Sequence, residues 1–321
     1  MPDGHQPDKD VGPPFDAVDA DITLRSSDGA NFRTYKFILS FVSPVFRTML
    51  SLPQPPDETA TASSSPSTPP VVPVEENRHT LEKLLLPCYP GFGISLDTLD
   101  DLRAIMRAAE KYDMQSVLGS IRKWMVTSPL LQTNPLHFYL ISCAQGWEAE
   151  ARLSAAKAIE VVDFNRPVGA HHYIPEMEYA SAGAYHRLIE YRARCGEAAR
   201  NSFWHLDFYD RFWSKCNNPD CSKVEGGFSE PYSNEPLDIP KWFQTYCDNV
   251  REELFLRPYT STLMNSNSFT AALIEGSSCY VCRSNLVKEL PSIRDTLAEG
   301  VIHQVSREVL GFPSRTLKKS R

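Results

Sequence analysis

The sequence lacks any apolar run that approaches the roughly 20 residues of a membrane-spanning helix. Its first residues, Met1-Pro2-Asp3-Gly4-His5, also lack the apolar core of a signal peptide. Both absences lead us to expect a protein of the reducing cell interior, in the cytoplasm and/or the nucleus and away from membranes. The eight cysteines are then expected to be free thiols or metal ligands, because disulfides are rare in that environment.

An excess of positive charge is missing as well. Lysine and arginine number 33 against 40 aspartates and glutamates, which gives a net charge of −7. A nucleic-acid-binding surface normally carries a basic patch with interleaved aromatic residues, so we expect no nucleic-acid partner. The one basic cluster lies in the tail at 313–321. A solvated tail is the favoured interpretation, and a weak nuclear signal is the other.

Known catalytic motifs are also lacking. The chain contains no G-x-S-x-G nucleophile elbow, no phosphate-binding glycine loop and no H-E-x-x-H motif. Single histidines and cysteines occur, but no local pattern links them. We therefore expect a protein without enzymatic activity.

Residues 19–50 contain the pattern that most specifically indicates a function. This pattern begins with two predicted strands. Apolar and polar side chains alternate in Asp21–Arg25, as in a strand with one buried face. Ser27-Asp28-Gly29 predicts a turn, because Gly29 tolerates the positive φ of a hairpin. A second short strand is predicted at Phe32.

Two helices are predicted directly after these strands. Helical spacing starts at Tyr35 and places Phe37, Ile38 and Phe41 on one helix face. Ser43-Pro44 predicts the start of the second helix, since serine can accept from a free backbone N–H and proline has none to lose.

This pattern resembles the opening of a BTB (POZ) domain. Residues at the positions typical of the family are Asp21, Gly29, Phe32, Lys36, Leu39, Ser43 and Phe46. Tyr35 stands where the family usually has histidine. Two later blocks, Thr80–Tyr89 and Leu99–Trp124, resemble later helices of the same domain, in the same order.

The resemblance implies an α+β fold with a small sheet flanked by helices over residues 16–128. A mainly α-helical C-terminal region is predicted to follow, with a helical extension at 129–200 and a cysteine-containing helical region at 201–312. Within the extension, helices are predicted at Glu148–Val161 and Ala182–Ala199. We expect disorder in the N-terminus at 1–15 and in a loop at 53–73, where proline, serine and threonine dominate.

Two cysteine pairs are candidate metal ligands. Cys216 and Cys221 flank an Asn-Pro-Asp turn, and Cys279 and Cys282 form a C-x-x-C pair. Short pairs of this kind can close a tetrahedral four-sulfur zinc site; unpaired structural thiols and a redox pair are the other interpretations. Some fungal BTB-domain proteins look similar in this region, with a C-x-x-C-Arg before the final helix. Substitute ligands are Cys247, His205 and His303.

The resemblance implies an adaptor or scaffold that oligomerises and recruits protein partners. The expected self-associated form is a homodimer. One alternative is a substrate adaptor of a cullin-type ubiquitin ligase, because Val74-Glu75-Glu76 loosely resembles the apolar-x-acid sequence of some such adaptors. A transcriptional regulator is the second alternative.

Overall fold

A computed structural model describes residues 9–52, 69–164, 173–202, 216–229, 236–264 and 266–312. The chain forms two compact units, Met1–Leu131 and Gln132–Arg321. Their boundary lies close to position 128, where we expect the first domain to end. Apart from residues 129–131, the predicted regions at 129–200 and 201–312 fall within the same second unit.

The first unit contains a four-stranded sheet in the order β1-β3-β2-β4. Its strands are β1 (Lys9–Asp10), β2 (Ile22–Arg25), β3 (Ala30–Thr34) and β4 (Val71–Pro73). The central strands β2 and β3 are antiparallel and pair Leu24 with Phe32, both fully buried. Gly29 has φ of 84° in the turn that joins them, as its sequence position predicts. The outer strands β1 and β4 run parallel to β3 and β2, respectively.

Both segments predicted to be disordered contain ordered residues, so that prediction is wrong in part. Lys9–Asp10 forms β1, and Val11 and Phe15 are buried. Val71–Pro73 forms β4 on the opposite edge of the sheet. Polar, proline-rich composition hides such short strands, because their backbone hydrogen bonds come from distant strands. Residues 1–8 and 53–68 lie outside the described residues.

The described residues of the first unit also form five helices. They are α1 (Lys36–Val42), α2 (Pro44–Ser51), α3 (Arg78–Leu85), α4 (Leu99–Lys111) and α5 (Gln115–Thr127), with a 3-10 turn at Leu86–Cys88. Ser43 caps α2 by accepting a hydrogen bond from the backbone N–H of Phe46, and Pro44 occupies the first helical position. Both features agree with the sequence prediction.

The N-terminal part of the second unit is helical. Its elements are α7 (Pro135–Gln145), α8 (Glu148–Val161), a 3-10 turn (Pro175–Glu178) and α9 (Ala182–Asn201), and a short α6 (Leu130–Thr133) precedes them. The predicted bounds of α8 are confirmed, and α9 extends two residues beyond its predicted end. These helices share one apolar core, in which Tyr139, Leu188 and Cys195 are fully buried.

In the C-terminal part, the described residues form a two-stranded sheet and four helices. The elements are β5 (Lys223–Ser229), β6 (Pro236–Pro240), α10 (Lys241–Leu256), α11 (Thr260–Met264), α12 (Asn267–Gly276) and α13 (Tyr280–Ser306). Strands β5 and β6 are antiparallel and were not predicted. The last helix, α13, begins at Tyr280, between the two cysteines of the C-x-x-C pair. The buried residues of this part form a second core, which includes the four candidate cysteines. None of the described helices combines the length and apolar character needed to cross a membrane.

Candidate functional site

The family-typical residues of the first unit lie around the start of α1 and the joint between α1 and α2. A side-chain oxygen of Asp21 accepts a 2.7 Å hydrogen bond from the backbone N–H of Lys36, at the first position of α1. Tyr35 donates its hydroxyl to Asp19 at 2.7 Å. The tyrosine in the usual histidine position therefore makes a polar contact of its own at this helix start.

Ser43 and Phe46 connect the joint between α1 and α2 to the end of α4. The Ser43 hydroxyl donates to the backbone carbonyl of Tyr112, and the Phe46 ring stacks on the Tyr112 ring at 4.5 Å. Ser43, Phe46 and Leu39 are fully buried. Phe32 is buried as well, so most of the motif supports the fold and leaves other residues to face a partner.

An aromatic pair on α1 faces solvent. Phe37 and Phe41 are 76% and 74% exposed, and their rings stack at a centroid distance of 6.1 Å. The sequence predicts that these residues share a helix face, but it does not show that the face is uncovered. Large exposed apolar groups that lie together commonly mark interaction surfaces.

The acidic sequence Val74-Glu75-Glu76 contacts α4 within the first unit. Lys111 forms ion pairs with Glu75 at 2.9 Å and with Glu76 at 3.0 Å, and the Tyr112 hydroxyl donates to Glu76 at 2.6 Å. Burial disfavours the charged form of Glu76, but the hydrogen bonds from Tyr112 and Lys111 outweigh it and lower its pKa. The side chain of Glu76 is 9% exposed and that of Glu75 is 88% exposed.

The second unit brings the two cysteine pairs together. The sulfur atoms of Cys216, Cys221, Cys279 and Cys282 all lie within 4.8 Å of one another. Cys216 is 3.7 Å from Cys279 and 3.6 Å from Cys282, and Cys221 is 3.9 Å from Cys282, sulfur to sulfur. These distances exclude disulfide bonds, and all four residues are free thiols.

Local structure points each pair of sulfurs inward. The turn between Cys216 and Cys221 is closed by a hydrogen bond from the Cys221 N–H to the Asn218 carbonyl, 3.2 Å. Cys279 is the N-cap residue of α13, and Cys282 lies in the first turn of that helix. All four side chains are buried in the apolar core of this region.

Three of these thiols, those of Cys221, Cys279 and Cys282, differ in acidity. Burial disfavours the Cys279 thiolate, but hydrogen bonds from the Asn218 amide and from the backbone amides of Cys282 and Val281 outweigh it and lower the pKa to about 6. Burial and the neighbouring thiols raise the pKa of Cys221 to about 11. Burial also raises the pKa of Cys282. A cation at the centre would favour the thiolate form of all four.

The substitute ligands do not join this group. Cys247 is buried in the same core but lies outside the four-sulfur cluster found among the described residues. His303 is exposed in the last turn of α13. His205 lies outside the described residues. Asn218 was not predicted to take part; its place before a proline in the turn is the only signal in the sequence.

Comparison with known proteins identifies the first unit. Residues 16–128 match the family model of the BTB/POZ domain, as the motif residues predict. No curated protein matches the chain.

Proposed function

We propose, from the BTB/POZ domain at residues 16–128, that this protein is a non-enzymatic adaptor or scaffold that associates with itself and recruits protein partners. BTB/POZ domains are generally interaction modules. The observation that supports self-association is the solvent-facing pair Phe37 and Phe41 on α1. We place the protein in the cytoplasm and/or the nucleus.

Burial of this aromatic pair against a second copy of the chain would provide the driving force for self-association. Fully burying one phenylalanine side chain contributes roughly 1.5–3 kcal/mol. Phe37 and Phe41 lie one helical turn apart and stack on each other, so both rings can be covered by one partner surface. The interface is then self-complementary, as expected for a two-fold symmetric dimer.

Replacement of both phenylalanines by glutamate tests the proposed self-association. The variant Phe37→Glu/Phe41→Glu should weaken it by roughly 100-fold or more, because each 1.4 kcal/mol changes Kd about tenfold. Sedimentation velocity over a concentration series measures the change. The matched control is Phe92→Glu, at a half-exposed phenylalanine of the same unit. A wild-type chain that is monomeric at all concentrations, or a double variant that associates like wild type, contradicts the proposal.

We further propose that Cys216, Cys221, Cys279 and Cys282 hold one structural zinc ion. Zn–S bonds of about 2.3 Å in tetrahedral geometry require sulfur–sulfur separations of about 3.8 Å. Three of the six sulfur–sulfur separations, 3.6, 3.7 and 3.9 Å, are close to this value, and all six are within 4.8 Å. Soft thiolates also select zinc over magnesium or calcium.

The site fits a structural role better than a catalytic one. Four cysteine ligands complete the tetrahedron, whereas catalytic zinc sites keep one position open for water or substrate. The ligands come from the turn before β5 and from the start of α13, so a bound ion would cross-link these elements within the core. We propose this region, 201–312, as the metal-stabilised part that follows the helical extension at 129–200.

The cullin-adaptor alternative receives less support from the geometry. In Val74-Glu75-Glu76 the acidic residue that matches the apolar-x-acid sequence is Glu76, and Lys111 and Tyr112 already hold its carboxylate. A pull-down with a cullin scaffold protein tests this alternative; capture that Glu75→Ala or Glu76→Ala abolishes would favour it. A transcriptional role also has little support, since the net charge is −7 and DNA contact relies on basic residues.

A further inference from the structure

The proposed zinc site would place a net negative charge in the core of the second unit. Four thiolates around a divalent cation leave a net negative charge, and buried charge is costly unless hydrogen bonds satisfy it. The ligands themselves are almost fully buried. Donors directed at the sulfurs are therefore needed; the Asn218 amide makes such a contact with Cys279, and the buried Trp242 N–H in the same core has no other acceptor among the described residues.

Asn218 supplies the first donor. Its side-chain oxygen accepts a 3.1 Å hydrogen bond from the backbone N–H of Asp220, and its side-chain nitrogen lies 3.2 Å from the sulfur of Cys279. The contact with Asp220 fixes the orientation of the amide, because a flipped amide would place two donors against each other. Asn218 is itself buried, so this donor has little access to water.

Trp242, at the start of α10, supplies the second donor. Its indole nitrogen is buried and makes no hydrogen bond of ordinary geometry within the described structure. Trp242 and Cys282 belong to the same buried core; burial raises the pKa of the Cys282 thiol, and the Trp242 indole N–H acts against that effect. A Cβ at Gly276 would lie 3.1 Å from the indole ring, so close packing holds the ring in place.

A buried indole N–H without a partner is unusual, since buried polar groups normally find one. A neutral thiol is a weak acceptor, whereas a thiolate is a charged one, and hydrogen bonds to charged acceptors are shorter and stronger. A metal-bound Cys282 thiolate in the same core would therefore give the buried Trp242 N–H an acceptor.

We infer that Asn218 and Trp242 are positioning residues of the metal site, which donate hydrogen bonds to the metal-bound sulfurs of Cys279 and Cys282. This inference rests on the proposed zinc site. The two donors come from different elements, the turn before β5 and the start of α10. Asn218 belongs to the turn that carries Cys216 and Cys221, whereas α10 supplies none of the four ligands.

Asn218→Asp tests the first donor. The carboxylate still accepts from the Asp220 N–H, so the turn is kept, but the N–H donor is lost and a negative charge faces Cys279. Zinc affinity, measured by competition with a chromophoric chelator on the full chain, should fall about 10- to 100-fold, as is typical for loss of an outer hydrogen-bond partner. The matched control Asn217→Asp adds the same charge at the exposed neighbouring residue and should bind zinc like wild type.

Trp242→Phe tests the second donor without a large change in shape. Cobalt(II) in place of zinc gives a sulfur-to-metal charge-transfer band, whose energy rises when N–H groups stabilise the sulfur electrons. The band should therefore move to longer wavelength in Trp242→Phe at full cobalt occupancy. A residue that only supports the fold would lower cobalt affinity and leave the band in place. The control is Trp124→Phe, in the first unit.

The outcomes separate this inference from the proposed site. Wild-type protein that binds neither zinc nor cobalt overturns the metal site and the inference with it. Wild-type protein that binds one ion, with unchanged affinity in Asn218→Asp and an unmoved band in Trp242→Phe, overturns the inference alone. Because the tryptophan variant does not alter the turn, its spectrum remains decisive if Asn218→Asp folds poorly.

Discussion

The side-chain nitrogen of Asn218 lies 3.2 Å from the sulfur of Cys279, although 61 positions separate the two residues in the chain. This contact joins the turn before β5 to the start of α13. The same two segments carry the four clustered sulfurs. A metal ion bound there would hold the ends of this region together, in the way a disulfide or a buried salt bridge does in other proteins.

Removal of one ligand should abolish zinc binding. Cys279→Ser replaces a thiolate with a weakly coordinating hydroxyl, so the zinc content of the purified chain should fall from one per chain to near zero. Elemental analysis after gel filtration measures this content. Cys88→Ser changes a cysteine of the first unit and should keep the full content. Equal zinc in both variants would contradict the proposed ligand set.

Removal of the metal should loosen only part of the protein. Metal binding energy contributes directly to folding in structural zinc sites, and the four cysteines belong to the core formed by α10 to α13. Treatment with a strong chelator should therefore speed amide hydrogen exchange in α10 and α13 and leave α4 and α5 protected. An equal increase in amide exchange across both units after chelation, or no increase in α13, would argue against a structural metal.

A close approach between α9 and α10 predicts a stability difference between two glycine variants. A Cβ at Gly196 would lie 2.5 Å from the backbone oxygen of Phe255, whereas a Cβ at Gly300 meets its nearest neighbour at 3.7 Å. Gly196→Ala should therefore destabilise the second unit by about 1–3 kcal/mol. Gly300→Ala, inside α13, should be neutral or slightly stabilising because alanine favours the helix. Thermal denaturation of both variants tests the difference.

Asp101 should make the stability of the first unit depend on acid pH. Burial disfavours its charge, but hydrogen bonds from Lys83, His79 and the Asp97 N–H outweigh burial and lower the Asp101 pKa to about 2. An unfolded aspartate titrates near about 3.9, so the stabilisation is present above about pH 4 and is lost as pH falls toward about 2.

The variant Asp101→Asn isolates this effect. At pH 7 it should lower the free energy of unfolding by roughly 1 kcal/mol, and the difference from wild type should vanish as pH approaches about 2. Asp100→Asn is the matched control in the same helical turn, at a largely exposed residue. A pH-independent difference for Asp101→Asn would contradict the assigned cause.

The sequence predicts the elements whose signals are local. The strand at Asp21–Arg25, the Ser43-Pro44 helix start and the alanine-rich α8 depend on neighbouring residues, and the structure confirms all three elements. The expected single buried face of the strand is wrong, because Thr23 is buried along with Ile22 and Leu24. The cysteine pairs are also visible in the sequence, because each pair is short and lies beside a turn or a helix start.

Other features depend on distant partners, which one sequence does not reveal. Strands β1 and β4 exist because β3 and β2 offer free backbone groups at their edges. Among the α1 residues only Leu39 is buried, so Phe37 and Phe41 face solvent. The sequence does not reveal this, because the side of α1 that packs inward depends on other elements. The roles of Asn218 and Trp242 appear only when α10, α13 and the cysteine turn are brought together.

Native mass spectrometry of the full chain tests the account most directly, since it counts chains and metal ions in the same particle. We predict a dimer that carries two zinc ions, one for each set of four cysteines. A zinc-bound monomer would contradict self-association through α1, and a metal-free dimer would contradict the zinc site. A metal-free monomer would contradict both proposals.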